Sequence, residues 1–123
     1  INRIIFISNP IIISESDSNY FDQIKGRHMT GHLKNNKIKK LNVIGNGESL
    51  FLITDEENII GINKVKSSNI YIYFDDSSIK NVCYTNNINS ITIPLKDINR
   101  EDKYLDGFKW SIEQRPIKED FID

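Results

Sequence analysis

The sequence predicts an all-β fold, a sandwich, barrel or roll of short antiparallel strands, and three observations carry that prediction. Apolar residues recur at every second position in short runs, and each run is followed by Asn, Gly, Asp or Ser, the pattern of strands joined by tight turns. Ile and Asn are heavily used while Ala is absent, which removes the best helix former and enriches residues that favour strands and turns. Turn signals fall about every eight to twelve residues, and no helical period lasts beyond about two turns.

Taken in order, the first run is 3–8 (RIIFIS), closed by Asn9-Pro10, and 11–14 follows it. Residues 22–29 lead to an expected turn at Thr30-Gly31, and 32–34 enter a turn at Asn35-Asn36. The run 38–44 (IKKLNVI) reaches Gly45-Asn46-Gly47, the clearest turn signal in the chain, because Asn-Gly tolerates positive φ cheaply. In 48–54 (ESLFLIT), Leu50 and Leu52 alternate with Phe51 and Ile53, so both faces can meet apolar neighbours and a central strand is expected. After a turn over 55–58 come a short strand at 59–63 and then 69–74 (NIYIYF), with Ile70, Ile72 and Phe74 on one face and Tyr71 and Tyr73 on the other. The tyrosine face is expected to meet water or a partner. A turn over 75–78 leads into 79–84, and Ile91, Ile93 and Leu95 alternate before a polar stretch at 96–102. Residues 107–115 read as a last strand or an irregular cap, and 117–123 as a frayed acidic tail. A turn followed by an alternating strand echoes at 35–43, 56–62 and 75–82, a repeat of about 20 residues that suits a roll or solenoid.

A chain of 123 residues is long enough for one domain, which buries about two thirds of its unfolded surface, and 1–123 is read as a single unit. The first residue is an Ile inside a strand-like run rather than a Met, so a fragment of a longer chain is expected. The net charge is −1 and the lysines are interspersed with acidic residues, which gives no basic field of the kind that holds nucleic acid. Purely apolar stretches such as residues 11–13 are far shorter than the ~20 needed for a membrane-spanning helix. Cys83 is the only cysteine, so no internal disulfide can form.

Candidate chemistry is sparse. His28 and His32 are the only histidines. Their even spacing would put them on one face of a strand, where a metal could bridge them, but Thr30-Gly31 argues for a turn and no cysteine or nearby carboxylate completes a tetrahedral set. No serine sits in a G-x-S-x-G elbow, and Cys83 in an apolar strand context reads as a buried, inert thiol. Gly45-Asn46-Gly47 resembles a phosphate-cradling loop, yet no G-K-[ST] follows and a hairpin turn accounts for it. The paired carboxylates Asp75-Asp76 and Glu56-Glu57 sit in turn signals, where solvated acids are ordinary. The expectation is a protein that is not an enzyme and uses neither cofactor nor metal. Two features could carry binding. Leu41, Val43, Leu50, Leu52, Ile60, Ile62, Ile70, Ile72 and Phe74 either fill a core or, in an incompletely closed roll, line a groove for an acyl chain. Lys37, Lys39 and Lys40, with Lys64 and Lys66, form either a solvated face or a contact for anionic head groups.

From Asn9 onward the chain resembles the OstA-like (organic solvent tolerance) proteins of the Bacteroidetes, relatives of periplasmic lipopolysaccharide-transport proteins. The similarity lies in NPIIIS at 9–14, FDQIKGRHMTGHL at 21–33, VIGNGESLFLI at 43–53, GINKVKSSNIYIYF at 61–74 and LDGFKWSIEQRP at 105–116. Each motif is weak alone; their order and spacing carry the likeness over most of the chain. The resemblance implies a β-jellyroll of stacked strands with a V-shaped apolar interior that holds lipid acyl chains, and domains that join end to end by edge-strand pairing. It further implies the periplasm, with outer-membrane association, as the location. The partners it implies are lipopolysaccharide or a related lipid and neighbouring jellyroll domains. On that reading the lipid-facing residues are Leu41, Val43, Leu50, Leu52, Ile62, Ile70, Ile72 and Phe74. The alternative is a structural or interaction module whose interior is packed shut and whose strand edges pair with neighbours. A small envelope hydrolase would need a base and nucleophile that the sequence does not offer.

Overall fold

The computed structural model describes residues 2–7, 11–17, 20–76 and 78–105, the side chains from residue 20 onward. They form one antiparallel eight-stranded sheet: β1 (Asn2–Ile7), β2 (Ile11–Asp17), β3 (Tyr20–Lys25), β4 (His28–Lys34), β5 (Lys37–Asp55), β6 (Asn58–Asp75), β7 (Ser78–Thr85) and β8 (Asn89–Pro94). The fold is all-β, as the alternation predicts. Two short 3-10 turns, Leu95–Asp97 and Arg100–Lys103, follow β8.

The pairing register shows a simpler plan than eight strands suggest. β1 pairs with β4 and β2 with β3; β4 and β3 pair with successive stretches of β5; β6 runs along β5 and then receives β7 and β8 on its far side. The chain is therefore a meander of five long ribbons: β1 with β2, β3 with β4, β5, β6, and β7 with β8. Among the described residues four of the ribbons are interrupted at one level: at Gly26-Arg27, at a register shift between Ile44 and Gly47 on β5, beside Ser67-Ser68 on β6, and at 86–88. We call this level the crease. It divides the sheet into an upper half (β1, β4, the start of β5, the end of β6, β7) and a lower half (β2, β3, the end of β5, the start of β6, β8).

The ends of the ribbons are set by residues that accept left-handed backbone. Asn35 (φ 53°) and Asn36 (φ 64°) join Lys34 to its ladder partner Lys37, a two-residue hairpin with both central residues at positive φ. Glu56 (φ 59°) and Asp76 (φ 50°) begin the next two turns. The echo of about 20 residues is thus the length of one ribbon, and the architecture is a meander rather than a solenoid.

Two expected turns are corrected. Thr30-Gly31 lies inside β4, where Thr30 pairs with Asn42 and Gly31 with Leu41. Gly45 (φ 85°) and Asn46 (φ 51°) have the backbone of a turn but lie within the 19-residue β5, so the expected strands at 38–44 and 48–54 are one strand. The runs at 59–63 and 69–74 likewise merge into the 18-residue β6. A positive-φ Gly-Asn pair serves a hairpin or a bulge equally well; continuous partners on both sides of β5 decide for the bulge. The proposed terminal strand at 107–115 and tail at 117–123 lie outside the described residues.

Candidate functional site

The interior is built from rows of cross-strand neighbours, which share a face of the sheet. In the upper half, Leu41 pairs with Ile72 and Val43 with Ile70, and Ile72 and Ile70 continue to Val82 and Tyr84 on β7. These residues, with Met29, Leu33, Ile38 and Phe74, form one apolar cluster, and Ile24 and Phe51 of the lower half join it. The two halves therefore meet over a shared core. Leu41, Val43, Ile70 and Ile72 are 0% exposed and Phe74 5%.

Five of the eight expected lipid-facing residues come together here. The other three, Leu50, Leu52 and Ile62, belong to a second cluster with Leu105, flanked by Ile93 and Ile98. The row Leu52–Ile62–Ile93 lies on the opposite face of the lower half, under the strap formed by residues 95–105. Ile60, at 50% exposure, lines neither cluster.

The inward row of the lower half is instead Ile24–Ser49–Val65–Ser90, followed by Phe51–Asn63–Thr92. Its burial falls away from the crease: Ile24, Ser49 and Val65 are buried, Phe51 and Asn63 half-buried, Ser90 and Thr92 exposed. Asn63 Nδ2 donates to Ser90 Oγ at 3.0 Å and lies 3.3 Å from Thr92 Oγ1. The inner surface thus grades from aliphatic to polar. Across the crease, Ser49 Oγ and Tyr84 OH share a 2.7 Å hydrogen bond. Burial pushes the Tyr84 hydroxyl's pKa above its ordinary value, against the smaller downward pull of Ser49.

Gln23 fixes the strap, a role the sequence reading did not foresee. It is fully buried; its Nε2 donates to Lys103 O at 2.7 Å, and the Leu105 N–H donates to its Oε1 at 2.9 Å. The side-chain amide so mimics a strand residue, with the rings of Phe21 and Tyr104 nearby, tilted by 31° at 6.3 Å between centroids. A polar residue in an alternating strand at an otherwise apolar position was the only signal available.

On the outer face of the upper half, Lys40 lies 5.5 Å from the Tyr71 ring centroid and 5.2 Å from that of Tyr73. The expected lysine cluster is divided: Lys40 pairs with Tyr73 on the upper half, whereas Lys64 pairs with Leu50 and Lys66 with Glu48 on the lower. His28 and His32 do share a strand, and His32 Nε2 stands 3.1 Å from Asn42 Nδ2. Among the described residues no three His, Cys, Asp or Glu side chains are grouped to hold a metal ion, and no helix is long and apolar enough to cross a membrane. Compared with protein families, with curated proteins and with solved structures, the chain finds no match in any of the three.

Proposed function

We propose that this chain is a non-enzymatic periplasmic domain of lipopolysaccharide transport and outer-membrane biogenesis, and that its interior takes up lipid acyl chains. The observation that carries the reading is the shared apolar cluster: a creased sheet whose halves meet over Leu41, Val43, Ile70, Ile72 and Phe74, with Ile24 and Phe51 contributed from below. The likeness of the sequence to OstA-like proteins supplies ligand and location. An acyl chain gains ~0.8 kcal/mol for each methylene withdrawn from water, which is the driving force for its uptake. It would come in from the lower half, where burial declines through Phe51 and Asn63 to Ser90 and Thr92.

The test is a photo-crosslinking amino acid placed at Phe51 on the inner face, or at Tyr73 on the outer face, in cells of a Gram-negative host. Capture of lipid at Phe51 well above that at Tyr73 is expected; equal yields at the two positions would sink the reading.

A second reading is favoured by a different observation. Among the described strands β7 and β8 pair with β6 alone, so their far edges present a ladder to a neighbour, and the upper core is closed by its own side chains. A structural module acting by edge-strand pairing would form head-to-tail oligomers without lipid, which native mass spectrometry separates from lipid-bound monomers.

A further inference from the structure

Gly45-Asn46-Gly47 is the one motif in the chain that resembles a phosphate cradle; no G-K-[ST] follows it, but the hairpin turn expected to account for it is not what the segment forms, since it lies within β5. The segment sits at the crease and borders a cleft of about 600 Å³. Residues from four ribbons converge there: Lys25 and Arg27 beside the β3–β4 break, Asn46 and Glu48 from β5, Lys66 from β6, and Asn87 from the β7–β8 link. No apolar side chain is among the described residues that line it.

Two properties separate this cleft from an ordinary solvated strand surface. The first is charge. Three cations stand against one carboxylate, an excess of two positive charges on a chain whose net charge is −1. Lys25 and Lys66 flank Glu48 in one cross-strand row, with Lys25 Nζ 3.8 Å from Glu48 Oε2, so one carboxylate stands among two lysines in the row and the Arg27 guanidinium beside them. The second is order. Where the ladder is interrupted, the Arg27 N–H donates to Gly45 O at 2.7 Å, the Ser68 N–H to Asn86 O at 2.9 Å, and the Gly45 N–H to Asn69 Oδ1 at 3.1 Å. Asn87 Nδ2 donates to Ser68 Oγ at 3.3 Å. The walls are therefore tied to the sheet before any ligand arrives, which lowers the cost of binding. Left-handed backbone at Asn46 (φ 51°) and Asn87 (φ 55°) is held by asparagines, whose amides add neutral hydrogen-bonding groups beside the cations.

We propose that the crease cleft binds a phosphomonoester dianion, with Arg27, Lys66 and Lys25 meeting the phosphate oxygens and the amides of Asn46 and Asn87 meeting hydroxyls of the group that carries it. A guanidinium fork and two ammonium groups match a tetrahedral oxyanion of charge near −2, and charge-assisted hydrogen bonds of this kind are the strong ones. The inference stands apart from the acyl-chain reading, because the cleft and the apolar cluster share no residue among those named.

The test titrates the purified chain with inorganic phosphate, with glucose 1-phosphate, and with phosphatidylcholine vesicles containing phosphatidic acid. It is repeated on Arg27→Gln/Lys66→Gln and on Lys80→Gln, an exposed lysine of β7 outside the cleft. Neither Arg27 nor Lys66 is buried, so these exchanges leave the core intact, and matching thermal melts check it. Saturable binding of glucose 1-phosphate, weakened about tenfold or more by the double variant, unchanged by Lys80→Gln and falling as salt is raised, is the expected result. The same pattern with the vesicles alone upholds the site and assigns the phosphate to a lipid head group; with glucose 1-phosphate alone it assigns a soluble one. No saturable binding of any probe, binding indifferent to the double variant, or an equal loss in Lys80→Gln overturns the proposal. Lipid capture at Phe51 is independent of each of these outcomes.

Discussion

In the upper half-sheet the apolar residues of β5 and β6 face the shared interior, and the outer face carries Lys40, Asn42, Tyr71 and Tyr73; in the lower half Leu50, Leu52 and Ile62 face away from that interior, beneath the strap. One pair of strands thus serves two cores on opposite sides of a single sheet. The difference arises at the crease. From Ile44 to Gly47 β5 advances three residues while β6 advances two, from Asn69 to Ser67, so the inward positions of β6 change from Ile70, Ile72 and Phe74 to Val65 and Asn63. A sheet that would otherwise have one greasy face and one wet face is given an aliphatic interior above, a graded interior below, and a second buried patch outside.

The largest expected effect sharpens that contrast. Ile72→Ala removes a side chain enclosed in the core that both halves share and should cost about 2–5 kcal/mol in urea unfolding, with Ile62→Ala, covered by a strap, toward the lower end of that range. The reverse order would break the distinction between the two cores. Gly26→Ala comes next. A Cβ there runs into the Val43 side chain, and the resulting overpacking of the crease should cost about 1–3 kcal/mol and loosen both halves together. Gln23→Ala strands the carbonyl of Lys103 and the N–H of Leu105, a loss of about 1–2 kcal/mol. Hydrogen exchange should then quicken in the strap while the amides of β4 stay protected.

A smaller effect is tied to pH. Tyr84's raised pKa means that the folded protein holds its phenolic proton more tightly than the unfolded chain. That contribution is complete below the free tyrosine value of about 10 and is lost as pH climbs through the higher folded value. Stability measured from pH 9 to about 12 should fall, and Tyr84→Phe should flatten the decline. The least effect is expected at the turns: Glu56→Gly relieves left-handed backbone at φ 59° and should change stability by less than about 1 kcal/mol, in the stabilising direction. A marked loss there would mean that the Glu56 side chain has a role the backbone does not reveal.

Much of this plan is written locally. The alternation of Ile70, Ile72 and Phe74 against Tyr71 and Tyr73 reads directly as an inner and an outer face, and Asn35-Asn36 reads as a hairpin because both residues tolerate positive φ. What escapes a local reading is phase. Ile62 and Ile70 are an even number of residues apart, so alternation carried along β6 puts them on one face, whereas the register shift at the crease puts them on two. The same shift hides the role of Val65 on the inner row, whereas on β5 the phase runs unbroken from Leu41 and Val43 to Ser49 and Phe51. Gln23 was illegible for another reason: its partners, Lys103 and Leu105, are eighty and more residues away, and nothing in the spacing of a polar residue announces what it will meet.

The meander also bears on time. Each ribbon pairs only with the ribbon before it and the ribbon after it, so every ladder can be laid down by a neighbour already in place, and the longest of them, β5 with β6, closes through the two-residue link at Glu56-Glu57. Hairpins of this kind zip in about 1–10 μs, and a topology made only of sequential hairpins avoids the distant strand searches that slow most all-β chains. A chain emerging from the ribosome could add ribbons in the order in which they appear, with the strap, the last of the described segments, latching onto Gln23 once the sheet beneath it is complete.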